Sequence, residues 1–385
     1  MAVWLGLSLF SFACLALYAR HSATNGKQLG RGRVAVIVPV KSAVDDDLRP
    51  FLESLSEQTY QDWYVIFAVA STDDPSCEVV SGFLKSGRVS GEVVTAGLAT
   101  LQGQKIQNLL AGVDRIRDCT DYLAFCDADS VLPRNFVGRL VHPLARDRCD
   151  ISTCYRLIMP CDSLLGSLLV AVANLQVAFF PRYGRWTVPW GGGTAMRLAT
   201  FDRLQVRDAW EGYLSDDLRL ARIAWAQGAR VKLQRDLLIP SRLSSTVMDA
   251  LRFGIRQYQH VFTNSVVLWF FATAVLSIHA AGWIWLFSQT VRAGIGAMVS
   301  VWVFMYVLSI GRNIIRALLL YRLQGMAAVK PMRLALLMDS VFPFLAPGLH
   351  CAVALAASVC PRITWGGCEY WVRGGKVVRL RRLAK

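Results

Sequence analysis

Two aspartates, Asp127 and Asp129, stand one residue apart at the end of the apolar run YLAFC, 122–126. Each costs desolvation free energy there unless something cationic meets it. Hard divalent cations take carboxylate oxygens, so this pair, flanking the small Ala128, could reach one Mg2+ or Mn2+, directly or through water. Other acids occupy comparable places. Asp73 and Asp74 follow the run WYVIFAVA, 63–70, and Asp216 and Asp217 open the amphipathic stretch of LSDDLRLARIAWAQGAR. PWGGGTAMR, 189–197, adds a glycine-rich loop with Trp190, Gly191 and Gly192, and RFGIRQYQH, 252–260, adds Arg256 and Gln257. Each piece has a plainer reading. An aspartate after a strand is more often a turn former or a helix cap, a first-turn pair can complement the helix dipole, and an interfacial arginine can snorkel. Their order along the chain argues for a shared role.

That order depends on the elements between them. Short apolar runs at 33–40, 63–70, 92–96 and 122–126 alternate with amphipathic stretches around 48–58, 77–85 and 106–116. Strand and helix in alternation predict an α/β domain with a mainly parallel sheet. Ligands of such sheets lie beyond the carboxyl ends of the strands, where the acids fall.

The remainder of the chain is too apolar for a soluble domain. Of 385 residues 54% are hydrophobic and 18% charged, and the apolar residues are segregated. Met1 to Ala19 carries no charge, a polar stretch runs from Arg20 to about His260, and long apolar runs return from Val261 to Cys360. Met1–Ala19 lacks the basic leader and cleavage site of a signal peptide and reads as an uncleaved anchor. Val261 to Gln289 and Ala293 to Ile310 are long enough to cross a bilayer. Leu334 to Cys360 is interrupted by PFLAPG and is expected to bend at Pro343 and Pro347 as a re-entrant hairpin. Leu164 to Phe180, shorter and carrying Ser167, Asn174 and Gln176, is expected as a helix at the interface or against the membrane helices.

The net charge of +15 comes without any nucleic-acid reader module, which argues against a nucleic-acid partner. Arg20, Lys27, Arg31 and Arg33 follow the first span, and Arg373, Lys376, Arg379, Arg381, Arg382 and Lys385 crowd the end of the chain. The positive-inside rule then predicts an integral, multi-pass protein whose globular domain faces the cytosol. Ten cysteines without a CxxC pair read as reduced thiols, and five scattered histidines suggest no metal site of their own.

With these motifs in view the sequence resembles a membrane-bound family 2 glycosyltransferase, most like the ceramide glucosyltransferases and their bacterial lipid-glucosylating relatives. The resemblance runs from about Arg33 to Arg379. It is carried by TDDPS (Asp74), QKIQNL (Lys105 and Asn108), FCDADS, WGGGTAMR, LSDDLRLARIAWAQGAR and the terminal RITWGGCEYWVRGGKVVRL. At Arg256–Gln257 it departs from the eukaryotic Gln/Arg-x-x-Arg-Trp element, because Gln257 takes the Trp position and Phe253 the first.

The resemblance implies a nucleotide-diphospho-sugar transferase (GT-A type) domain between N-terminal and C-terminal transmembrane helices. It implies inverting, metal-dependent transfer of a hexose, glucose by kinship, from a UDP-sugar to the hydroxyl of a membrane lipid such as ceramide. Asp217 would be the catalytic base, and Arg256 would meet the diphosphate. Asp74, Lys105, Asn108 and Asp127 would hold the donor, and Asp127 and Asp129 the Mg2+ or Mn2+. Trp190, Gly191, Gly192, Asp216 and Gln257 would face the acceptor. The expected division is an anchor at 1–20, a cytosolic transferase domain at 30–245, an interfacial helix at 246–260, a membrane region at 261–360 and a basic cytosolic tail at 361–385, in a bacterial inner membrane rather than the Golgi. A processive polysaccharide synthase, a polyprenyl-phosphate sugar transferase and a decayed transferase serving as a membrane scaffold are the alternatives. Two clear crossings after the domain are few for a polymer channel, and the intact acids argue against decay.

Overall fold

The computed structural model describes residues 1–21, 31–41, 45–180, 187–360 and 362–383. Lys27 and Lys385 of the basic flanks lie outside them. The chain forms two compact units. One comprises Met1–Thr24, Leu157–Pro181 and Arg242–Pro361, and the other Asn25–Arg156, Arg182–Ser241 and Arg362–Lys385. Sequence alone placed 157–181 in the transferase domain and the last residues in a tail. In the structure the first segment, which holds the 164–180 helix expected at the interface or against the membrane helices, clusters with the helices, and the second clusters with the sheet.

In chain order the elements are α1 (Ala2–His21), β1 (Arg33–Pro39), α2 (Asp45–Ser56), β2 (Trp63–Val69), α3 (Pro75–Lys85), β3 (Gly91–Thr95), α4 (Gln104–Val113), β4 (Thr120–Cys126), α5 (Phe136–Ala145), β5 (Ile151–Pro160), α6 (Leu165–Ala178) and β6 (Gly193–Arg197). They continue with α7 (Leu198–Arg203), α8 (Val206–Trp210), α9 (Asp216–Ala226), β7 (Val231–Leu243), α10 (Val247–Asn264), α11 (Val266–Ala293), α12 (Ile295–Gln324), α13 (Met326–Val341), α14 (Leu345–Val359), β8 (Arg362–Trp365), β9 (Cys368–Arg373) and β10 (Lys376–Arg382).

The α/β unit is built on a seven-stranded sheet of order β3-β2-β1-β4-β6-β5-β7. The first four strands in that order run parallel, and β6 is antiparallel to both β4 and β5. β1 and β2 read as unbroken apolar runs because helices cover both faces of the sheet. Side chains alternate between those faces. Val34, Val36, Val38 and Phe67 pack with Phe51 and Leu55 of α2 and Phe136 and Leu140 of α5. Ala35, Ile37 and Ile66 pack on the other face with Ile106 and Leu109 of α4 and with Trp210 and Leu220.

The segment read as a basic tail folds as a three-stranded antiparallel sheet, β10-β9-β8. Its two hairpins turn at Gly366–Gly367 and Gly374–Gly375, all four at positive φ. Two-residue turns of this kind need left-handed backbone, which glycine adopts without a side-chain clash. Ile363, Cys368, Tyr370 and Val377 bury against Leu214. Backbone bonds from Leu214 N to Gly375 O (3.2 Å) and from Val377 N to Gly212 O (2.8 Å) fix this sheet beside the loop that precedes α9.

In the helical unit, α1, α11 and α12 are each long and apolar enough to cross a membrane, and the pair α13–α14 would make a fourth span if its two halves are taken together. The pair bends by 89°. The break falls at 342–344, centred on Pro343, while Pro347 sits in the first turn of α14, where its missing N–H breaks no helical bond. The tilted and edge-on aromatic contacts of Trp283 with Trp4, Trp302 and Phe344 join α1, α11, α12 and the bend. α6 packs in the same unit, where Ala173 O lies 3.3 Å from His350 Nε2 of α14.

Candidate active site

The site begins with an amide relay at the start of α4. Gln104 accepts from Ala99 N and donates to Gly97 O and Asn108 Oδ1, each at 2.9 Å. Asn108 in turn donates to Ala68 O of β2 at 2.9 Å and reaches Val40 O, just past β1, at 3.4 Å. These buried amides satisfy strand-end carbonyls that would otherwise lack partners. Asn108, expected on the donor, therefore spends its hydrogen bonds on holding α4 across the carboxyl ends of β1 and β2.

Lys105 follows Gln104 and points its ammonium between two carboxylates. Nζ lies 2.8 Å from Asp127 Oδ1, at the end of β4, and 3.3 Å from Asp216 Oδ2, at the start of α9. Burial opposes the charge on Lys105, but Asp127 and Asp216 outweigh it and hold the ammonium protonated. Asp216 is 5% exposed. Its carboxyl is pushed up to about 6 by burial first, with Lys105 pulling it down and Asp217 and Asp127 pushing it up. Asp217 is more accessible. One of its oxygens accepts from Ser215 Oγ (2.5 Å) and Leu218 N (2.7 Å), an arrangement that fixes the carboxylate.

The glycine-rich loop closes over this group. A Cβ added at Gly191 would collide with the Asp216 carboxylate and stand 2.8 Å from Lys105 Nζ, and one at Gly192 would stand 2.5 Å from Asp127 Oδ2. Only glycine permits that approach. Trp190 anchors the loop, its N donating to Thr153 Oγ1 (2.8 Å) and its O accepting from Thr194 Oγ1 (2.7 Å). A small cleft is lined by Pro189, Gly191, Trp210, Asp216 and Asp217.

Asp129 pairs with a different cation. It is half-exposed and pairs with Arg156 Nη2 at 2.9 Å. The same guanidinium donates to Ser241 Oγ (2.8 Å), which donates to Asp129 O (3.0 Å). Asp74 lies beyond the end of β2 and caps α3, accepting from Ser76 N (3.0 Å) and Ser76 Oγ (2.6 Å). The structure thus brings Lys105, Asp127, Trp190, Gly191, Gly192, Asp216 and Asp217 together, with Asp129 two residues on. Arg256 and Gln257 lie on α10 of the helical unit, where the Arg256 guanidinium sits 5.4 Å from the Phe253 ring. Sequence reasoning missed Gln104, Thr153 and Arg156. Arg156 carried a signal, as the one charge within the run ISTCYRLIMP.

Among the described residues no three His, Cys, Asp or Glu side chains are grouped as metal ligands. The local charge still suits a divalent cation, since among the described residues Asp127 and Asp216 pair with Lys105 and Asp129 with Arg156, while Asp217 adds a fourth carboxylate. Mg2+-type sites commonly use one or two carboxylates and complete their shell with substrate phosphate and water. Asp127 and Asp129 fit that donor set.

The profile of Glycosyl transferase family 21 matches residues 3–378, spanning α1, the acidic site, α10 to α14 and most of the terminal sheet. The chain belongs to that family. The kinship with ceramide glucosyltransferases read from the motifs agrees with it, and the protein is a glycosyltransferase. Among solved structures, the mannosyltransferase PcManGT of Pyrobaculum calidifontis, in complex with GDP-Man and Mn2+, is similar at a TM-score of 0.51 and 15% identity, over 93% of this chain and 97% of that one. The transferase shares its GT-A fold. GalNAc-T7, solved with UDP, GalNAc and Mn2+, is similar at a TM-score of 0.44 and 11% identity over 66% of this chain and 59% of that one. No curated protein is significantly similar.

Proposed function

We propose that the transferase moves glucose from UDP-glucose to the hydroxyl of a membrane lipid such as ceramide, with inversion at the anomeric carbon. The observation that carries this reading is the Lys105 ammonium held between Asp127 and Asp216 under Gly191 and Gly192. It joins three motifs far apart in the chain into one group suited to a diphosphate and an alcohol. Asp217, held by Ser215 and the Leu218 amide, takes the proton of the acceptor hydroxyl. The acceptor oxygen bonds to C1 from the face opposite the departing UDP as the C1–phosphate oxygen bond breaks, so an α-linked donor gives a β-linked product.

Asp127 and Asp129 would hold Mg2+ or Mn2+, which supplies charge neutralisation at the leaving diphosphate. Lys105 adds a fixed positive charge beside it, and Asp74 binds the nucleoside. Trp190 and the glycine loop orient the acceptor. By resemblance alone, Arg256 meets the diphosphate and Gln257 the acceptor. The membrane-length helices α1, α11 and α12 support a lipid acceptor, because anchoring confines enzyme and acceptor to one surface. The basic flanks support a cytosolic α/β unit.

Full-length protein in detergent, given labelled UDP-glucose and ceramide, should yield a β-glucosyl lipid, and chelator should stop the reaction. Asp217→Asn should lower turnover on the order of a hundredfold to ten-thousandfold. A polymeric product, or full turnover by Asp217→Asn, overturns the assignment.

A further inference from the structure

The helical unit contains a second buried polar group that the transfer reaction does not use. Arg316 of α12 pairs with Asp339 of α13 at 2.9 Å, and both are almost fully buried. Arg316 also donates to Asn313 Oδ1 (3.0 Å) and Gln176 Oε1 (2.7 Å), while Ser309 Oγ donates to Asp339 O (3.0 Å). So far this is a satisfied structural tie. Arg312, one turn earlier on α12, changes the balance, because two guanidiniums then face a single carboxylate. The Nε atoms of both arginines are buried without a hydrogen-bond partner.

Both arginines line a cavity whose other walls include Ser11 of α1, Gln176 of α6, Phe179 and Phe180. A surplus cation inside apolar helices is costly, and unsatisfied guanidinium donors add to that cost. An anion with several acceptor oxygens removes both penalties. Guanidinium matches phosphate geometry with paired hydrogen bonds. The cavity joins these donors to two phenylalanines within a unit of membrane-length helices, so its guest should be polar at one end and apolar at the other. Basic pockets between membrane helices bind anionic lipid headgroups in this way.

We propose that the Arg312–Arg316 cavity binds the phosphate group of an anionic membrane phospholipid. The site is separate from sugar transfer and would stabilise the packing of α1, α6 and α12. The test is thermal unfolding of delipidated full-length protein in detergent, titrated with phosphatidylglycerol, phosphatidylcholine or inorganic phosphate. Phosphatidylglycerol should raise the melting temperature of the wild type, and phosphatidylcholine should do so much less. Arg312→Gln should weaken the phosphatidylglycerol response at least tenfold in concentration, whereas Arg312→Lys should retain part of it. Ser11→Asp places a carboxylate in the cavity and should abolish the response while the protein remains folded, which covers the case that Arg312→Gln fails to fold. An unchanged response in Ser11→Asp or in folded Arg312→Gln overturns the proposal. So does the absence of any response in the wild type, or an equal response to inorganic phosphate.

Discussion

The two charge groups of this transferase have opposite surpluses. Around Lys105, carboxylates outnumber cations, and Asp127, Asp129, Asp216 and Asp217 face Lys105 and Arg156. Around Asp339, guanidiniums outnumber carboxylates. An ion pair alone says little about function, because a matched pair neutralises itself and can serve only to specify packing. The residual charge is what gives each group a ligand of definite sign. The acidic group suits a cation that arrives with a diphosphate, and the basic group suits an anion.

The largest expected effect separates the two groups most sharply. Asp127→Asn should lower glycosyl transfer on the order of a hundredfold or more, because several kcal/mol of charge stabilisation at the leaving group depend on it. The same variant should melt at the same phosphatidylglycerol-dependent temperature shift as the wild type. A variant that loses both responses would make the groups one coupled system and break the contrast.

Within the basic group, Arg316 and Arg312 should behave differently. Arg316→Met strands Asp339 without its counter-ion and should cost roughly 3–5 kcal/mol in unfolding measurements. Arg312→Gln should cost far less in lipid-free detergent, since it removes the surplus rather than the pair. Equal losses would mean that Arg312 is part of the structural tie.

Acidity offers a finer probe. The Asp216 carboxyl is pushed up to about 6 from an ordinary 3.8. The folded chain therefore binds more protons than the unfolded chain between those values, so this group's contribution to stability falls as pH rises through the window. Asp216→Asn should flatten the melting-temperature profile between about pH 4 and about pH 6. A slope unchanged by the substitution would show that Lys105 offsets the burial and the neighbouring carboxylates completely.

The smallest effect is a control. Gly374 has φ +57 in the β9–β10 turn, with nothing within 4 Å of an added Cβ. Gly374→Ala should cost about 1–2 kcal/mol from left-handed backbone alone. It should leave the chelator and phospholipid responses as they are.

Much of this arrangement was legible beforehand, and the exceptions have physical reasons. β1, β2 and β4 could be read because strands buried on both faces keep apolar runs in any register, and the half-buried edge strand β3 could be read from its short β-branched run. β6 is five residues of GTAMR, and β7 interleaves charge with its apolar positions in VKLQRDLLIPSRL, so neither has a clean period. The terminal hairpins did carry a turn signal in their Gly-Gly pairs, but their basic residues outweighed it and suggested a tail. The acids after the strands were visible as individual positions. That Lys105 reaches Asp127 and Asp216 at once was not, since the contact exists only after α4, β4 and α9 converge. The Arg156–Asp129 pair was hidden for the same reason. The 89° turn at Pro343 was visible because proline removes a helical donor regardless of tertiary context.

The Gln104–Asn108 relay bears on how quickly the enzyme can act once its substrates have met. A lysine on a flexible surface loop must be immobilised each time a guest arrives, at a cost in freedom that recurs with every cycle. Here the helix carrying Lys105 is clamped to two strand termini when the chain folds. The ammonium is therefore held between Asp127 and Asp216 as soon as the chain folds, and under the proposed transfer reaction it would need no rearrangement when a donor arrives.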